Sequence, residues 1–159
     1  RGRGFGAGIM AQLEVKFLRE AWADPDRPRP RYETDGAAGW DLRAQFTADA
    51  REAGLTLAPQ TRALIQTGCR VAGPRGYELQ IRPRSGLALK HGVTLANAPG
   101  TVDCDYRGPL GVILINLGDA PFVIGHGDRI AQGIGRQVGN AAATRLEERR
   151  RTSQGTGSA

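Results

Sequence analysis

Asp103 and Asp105 stand two residues apart, and on a strand that spacing points both carboxylates to one side. Like charges held together repel, which suits a general base or a metal site. The same spacing also describes two solvated aspartates on a loop. They lie in Asn97-Ala98-Pro99-Gly100-Thr101-Val102-Asp103-Cys104-Asp105-Tyr106-Arg107-Gly108, which reads as a loop, a turn at Pro99-Gly100 and a short strand. Asn97 offers both an amide donor and a carbonyl acceptor, as a pyrimidine edge requires. Tyr106 supplies a flat face for a sugar or base. A second segment, Arg82-Pro83-Arg84-Ser85-Gly86-Leu87-Ala88, places two arginines, a hydroxyl and a glycine where a strand passes into a short helix. Backbone N–H groups at a helix start point outward and favour anions. With Arg84 and the Ser85 hydroxyl beside them they make a phosphate cradle, although not the Gly-rich Walker pattern with its lysine. Two further segments are Gly36-Ala37-Ala38-Gly39-Trp40-Asp41-Leu42, where small residues admit close approach beside Asp41, and Gly127-Asp128-Arg129-Ile130-Ala131-Gln132, a turn entering a strand with Gln132 placed to hold a water or a phosphate oxygen.

The elements that must position these residues are short strands. Leu13, Val15 and Phe17 alternate with polar neighbours, the period of a half-buried strand. Further alternating or apolar runs occur at Ala63–Thr67, Tyr77–Arg82, Leu110–Leu117 and Phe122–Ile124, with Gly, Pro or Asp in the gaps. Closely spaced strands punctuated by turn residues predict an all-β sandwich or barrel. A turn or two of helix is expected around Gly86–His91, and a second where good helix formers gather at Ala141–Arg151. The stretch Gly133–Val138 is polar and poor in strand formers. The Pro/Arg-rich segment holding Pro25, Pro28 and Pro30 is a loop.

The 159 residues fit one domain. Residues 1–9, Gly/Arg-rich and ahead of the only methionine, are read as an extension, disordered or non-native. Residues 10–140 form the β domain, and residues 141–159 a C-terminal segment ending in a Ser/Gly/Thr-rich flexible arm. No apolar run is long enough for a membrane helix and no secretory signal is evident, so a cytoplasmic protein is expected. Two cysteines, Cys69 and Cys104, are too few for a disulfide framework and are read as free thiols. His91 and His126 stand alone, without metal-ligand spacing. The net charge of +6 comes almost wholly from arginine. Charge of that kind attracts polyanions, yet phosphate binding needs placed donors. The few aromatic residues do not interleave with the arginines as a base-stacking strip would, so stable nucleic-acid binding is not expected.

Taken together and in order, these segments resemble the trimeric dUTP pyrophosphatase (dUTPase) family, from about Pro30 to Gln132. Pro83–Ala88 and Pro99–Gly108 are specific, and Gly127–Gln132 follows at the right spacing. The resemblance implies a jelly-roll, a distorted β-barrel, assembled as a homotrimer with shared active sites. It also implies hydrolysis of dUTP to dUMP and pyrophosphate, keeping uracil out of DNA and supplying dUMP for thymidylate synthesis. On this likeness Asp103 is the general base that activates a water against the α-phosphorus. Asn97 reads uracil, and Tyr106 packs on the deoxyribose. Arg84, Ser85, Gly86, Thr101, Val102, Gln132 and Arg151 contact substrate, while Asp41 supports the site. Mg2+ is the implied cofactor, held mainly by the triphosphate, with no direct protein ligand.

The chain departs from the family at its end. The family's arm carries an arginine and a Gly-rich run with a phenylalanine that stacks on uracil. Here Arg151, Gly155, Gly157 and Ser158 fit, but Thr156 stands where the phenylalanine belongs. An aromatic lid contributes roughly 1–3 kcal/mol of base stacking. A catalytically weak dUTPase-like protein is therefore one alternative. A dCTP deaminase-family relative, which shares the fold, is another. Arg1-Gly2-Arg3-Gly4-Phe5-Gly6 also resembles the missing arm, as Gly/Arg-rich tags do.

Overall fold

Alternation of apolar and polar side chains folds this chain into two facing sheets, each with one side buried. The structure, a computed structural model, describes residues 13–139. The extension at residues 1–9, the segment 141–159 with its expected helix, and the arm with Arg151 and Thr156 lie outside the described residues.

The strands are β1 (Lys16–Arg19), β2 (Trp40–Arg43), β3 (Leu55–Leu57), β4 (Arg62–Ala72) and β5 (Tyr77–Arg82), followed by helix α1 (Ser85–His91). Then come β6 (Val93–Leu95), β7 (Gly100–Val102), β8 (Pro109–Asn116), β9 (Phe122–Ile124) and β10 (Arg129–Gln137). One sheet runs β1-β4-β8-β6, the second β2-β10-β5-β7, and β3-β9 forms a two-stranded ribbon. Every pairing is antiparallel. The two sheets close as a distorted barrel of jelly-roll type, as expected. Among the described residues no helix is long and apolar enough to cross a membrane.

β8 shows how the pattern builds the core. Leu110, Val112 and Leu114 point inward and are at most 2% exposed, while the residues between them face out. Leu42, Ile65, Ile124 and Ile130 meet them from the other strands. Fully burying such a side chain contributes about 1.5–3 kcal/mol. Asn116 is also inward and wholly buried, the one polar member of the row. Both thiols are free, Cys69 in the interior and Cys104 half-buried.

Two expectations need correction. Gly133–Val138 is strand almost to its end, since β10 pairs with β5 as far as Gln137↔Tyr77. Its glycines make room for an aromatic ring. A Cβ on Gly133 would come within 3.1 Å of the Trp40 ring and 3.2 Å of Leu79. Asp103 and Asp105, in turn, are not on a strand, because β7 ends at Val102. They sit in a turn closed by the Tyr106 N–H donating to the Asp103 carbonyl at 3.1 Å. A turn does not impose period two, so the shared-side argument fails for this pair.

Candidate functional site

Asp41 is where three distant segments meet. It lies in β2 and is 8% exposed. A carboxylate so placed needs charged partners. The Arg84 Nη1 donates to its Oδ1, and Arg129 Nη1 lies 3.3 Å from its Oδ2. β10 brings these groups together through its two neighbours, pairing Gln132 with Asp41 on one side and with Arg82 on the other. Asp41, Arg84, Arg129 and Gln132 thus gather at one end of the second sheet.

The strand-to-helix handover falls where the sequence placed it. Arg84 occupies the N-cap position in extended conformation and gives no side-chain bond to the first turn of α1, which carries no acidic residue. Ser85 and Gly86 open that turn and are exposed. An open groove beside them is lined by Arg84, Gly86, Lys90, His91, Phe122 and Arg129. Guanidiniums, a hydroxyl and backbone N–H groups beside an open groove make a site for phosphate oxygens.

The remaining expected residues lie along the β6–β8 segment, which crosses from one sheet to the other. Asn97 is exposed in the turn after β6, beside a cis Ala98–Pro99 bond. Gly100, Thr101 and Val102 form β7 and pair with Ile81, Gln80 and Leu79. Asp103 follows, exposed. The Tyr106 hydroxyl donates to the Pro109 carbonyl at 2.9 Å, and its ring lies over Gly108, where an added Cβ would collide with it. The Arg107 guanidinium donates to the carbonyls of Cys104 and Tyr106, each at 2.8 Å, and the Arg70 guanidinium donates to the Arg107 carbonyl at 2.8 Å.

These residues do not all converge within one chain. Val102 pairs with Leu79, which sets Asp103 near the Glu78 end of β5, whereas Arg84 lies beyond the opposite end. Six extended residues separate those points, about 20 Å at the strand rise of about 3.3 Å per residue. The Arg84–Asp41–Gln132 end and the Asp103 turn are therefore two separate groups of candidate residues. Arg129 lies in the Gly127–Gln132 segment marked in the sequence, but its ion pair with Asp41 has no signal there. Nothing local encodes that meeting, which depends on pairing β10 with β2.

A profile of the family described as dUTPase matches residues 26–159. The deoxyuridine 5'-triphosphate nucleotidohydrolase of Dinoroseobacter shibae is 52% identical over 92% of this chain and 96% of its own length. The protein of the same name from Caulobacter vibrioides is 49% identical, covering 95% of each chain. Among solved structures, a mutant dUTPase from phage phi11 of S. aureus, described with a structural Mg(II) ion, aligns with a TM-score of 0.67 at 20% identity, covering 85% of this chain and 97% of that one. The native EIAV dUTPase aligns at 0.65 and 19% identity, over 85% and 98%. Those two likenesses are of fold.

Proposed function

The chain belongs to the dUTPase family, and from that premise we propose that it hydrolyses dUTP to dUMP and pyrophosphate. The observation that carries the reading is the convergence of Arg84, Arg129 and Gln132 around buried Asp41 from three separated segments. Arg84, the Ser85 hydroxyl, the Gly86 N–H and Gln132 hold phosphate oxygens. Asp41 keeps Arg84 and Arg129 in place rather than reacting.

Asp103 takes a proton from a water, whose oxygen attacks the α-phosphorus as the bond to the bridging oxygen breaks and pyrophosphate leaves. An exposed carboxylate on a tight turn is accessible to that water. Asn97 pairs with the uracil edge. An amino group at C4 would leave donor facing donor, and an unpaired buried group costs about 1–3 kcal/mol. Thr101 and Val102 flank the substrate. Tyr106, its ring fixed by the Pro109 carbonyl and Gly108, packs on the deoxyribose and leaves no space for a 2′-hydroxyl. Arg151 belongs to the arm and lies outside the described residues.

The donor set fits magnesium carried by the triphosphate. The groups gathered at Asp41 are guanidiniums and an amide, which take phosphate oxygens rather than a metal, and the Asp41 carboxylate already faces two arginines. When bound, Mg2+ offsets phosphate charge.

The separation of the two groups supports a site completed by a second copy of the chain, and a homotrimer in which each interface holds one site. The outward face of the first sheet supports self-association as well. Leu18 is 65% and Leu64 57% exposed there, with Ile113 paired beside Leu64. Residues 10–140 are the β domain in this reading, and the chain acts in the cytoplasm.

The test is pyrophosphate release with magnesium from dUTP, dCTP, dTTP and UTP. Turnover is expected for dUTP only. Asp103→Asn keeps the shape but removes the basic oxygen, and is expected to lower kcat about 10²–10⁴-fold while nucleotide still binds. A near-wild-type rate in that variant would overturn the role of Asp103, and ammonia release from dCTP would overturn the substrate.

A further inference from the structure

His126 precedes the Gly127–Gln132 segment and takes no part in the chemistry above, yet its side chain is only 6% exposed. Both ring nitrogens are engaged. Nδ1 lies 3.1 Å from the Phe46 backbone nitrogen, and Nε2 lies 2.9 Å from Asp24 Oδ2. A backbone N–H can only donate, so Nδ1 must be the bare acceptor and Nε2–H must donate to Asp24. One neutral tautomer satisfies both contacts.

Each contact ties the turn at Gly125–Asp128 to a different part of the chain. Asp24 is held from several sides. Its own N–H donates to Gln45 Oε1 at 2.9 Å, and its Oδ1 accepts the Asp26 N–H at 3.0 Å. The turn is laced to the end of β2 by Gly127 N–H to the Ala44 carbonyl and Ala44 N–H to the Asp128 carbonyl, both 2.8 Å. Arg43 adds a bond to the Gly127 carbonyl at 3.0 Å. Gly127 has φ +89°, a conformation that the surroundings must hold in place. The first residue after the turn is Arg129, whose guanidinium reaches Asp41.

We propose that His126 is a positioning residue for substrate binding. Its neutral ring fixes the Gly125–Asp128 turn against Phe46 and Asp24, and so sets where Arg129 stands against Asp41 and Arg84. This rests on the phosphate-binding reading of that cluster. The charged groups at the ring are Asp24 together with Arg27 and Arg51, which lie 3.6 and 3.9 Å from the same Asp24 oxygen. Asp128 and Arg43 are occupied by the turn's own backbone.

The experiment measures KM and kcat for dUTP with saturating magnesium in the wild type and in His126→Ala, His126→Asn and His126→Gln, with Tm recorded for each. His126→Ala is expected to raise KM about tenfold with kcat within about threefold, the signature of lost binding rather than lost chemistry. Asn carries an oxygen near the place of Nδ1 and is expected to recover most of the KM, whereas Gln, which mimics Nε2, is not. If His126→Ala fails to fold, the Asn and Gln variants still decide the matter. Unchanged KM in every variant, or an Asn variant no better than Gln, overturns the proposal. A wild type that turns over no dUTP overturns the functional reading instead.

Discussion

Single side chains carry more of this molecule than their types announce. Asn116 ends an apolar run and reads in sequence as one more core-strand position, yet it is fully buried and makes three bonds. Its Nδ2 donates to the carbonyls of Leu57 at 2.9 Å and Ala120 at 2.8 Å, and its Oδ1 accepts the Gly118 N–H at 2.9 Å. It therefore pins β3 and the β8–β9 turn to the core. Asn116→Ala strands all three partners. At about 1–3 kcal/mol for each unsatisfied buried group, with partial relief by water, a loss of about 3 kcal/mol is expected in urea unfolding. A loss below about 1 kcal/mol would mean that the partners find others. Asp41 teaches the same lesson from the other side. Sequence names it as a supporting residue, but which cations it supports is a matter of long-range pairing.

At the scale of elements, β5, β9 and α1 were readable to within a residue, because alternation and bounding Gly, Pro or Asp mark them. β3 and β6 were not seen. Three residues are too few for a period to register, and both exist because a longer partner offers them a ladder. β10 looked unsuitable for a strand, since its glycines answer to the Trp40 ring across the sheet rather than to strand propensity. Gly39 is part of the same packing. A Cβ there would lie 2.8 Å from both the Gly133 carbonyl oxygen and Ile134 Cγ1. Gly39→Ala is expected to push β2 from β10 and to cost about 1–3 kcal/mol, as overpacking does. The shift also moves Asp41, so the KM for dUTP should rise in parallel. A stable Gly39→Ala protein with unchanged KM would show that the two strands separate without disturbing the cluster.

At the scale of the whole molecule, three titrating groups bound the stable range. The hydrogen bond from His126, with that from the Asp26 N–H, holds the Asp24 carboxyl below its usual value, and Asp49 is lowered chiefly by its bond with Thr47. Their folded pKa values lie below the unfolded ones. The stability they give is present above about pH 4 and lost as pH falls through the lower folded values. Burial pushes the Cys69 thiol up. As pH rises the unfolded chain loses that proton first, so this contribution is complete below about pH 8.5 and lost as pH climbs through the folded value. Tm should be level between about pH 5 and 8 and fall on both sides, with the alkaline fall shallower in Cys69→Ala. A Cys69→Ala profile that superimposes on wild type would remove the thiol from the account. Assembly is tested by mixing. Asp103→Asn and Arg84→Ala proteins are each expected to be inactive. Random trimers of the two should regain about a quarter of wild-type activity if each site takes Arg84 from one chain and Asp103 from its neighbour. No recovery would place both residues of a site in one chain.

The sequence by itself determined the family and the all-β class, and it supplied the candidate residues for the proposed site. Those are properties of short segments, in which turn residues, alternation and residue order survive without coordinates. Tertiary structure alone decided that Arg84 and Arg129 share Asp41, that Asp103 sits on a turn about 20 Å away, and that His126 has a single usable tautomer. Each of those facts joins residues far apart in the chain. Such meetings are set by which strands pair and in what register, and no local pattern encodes them.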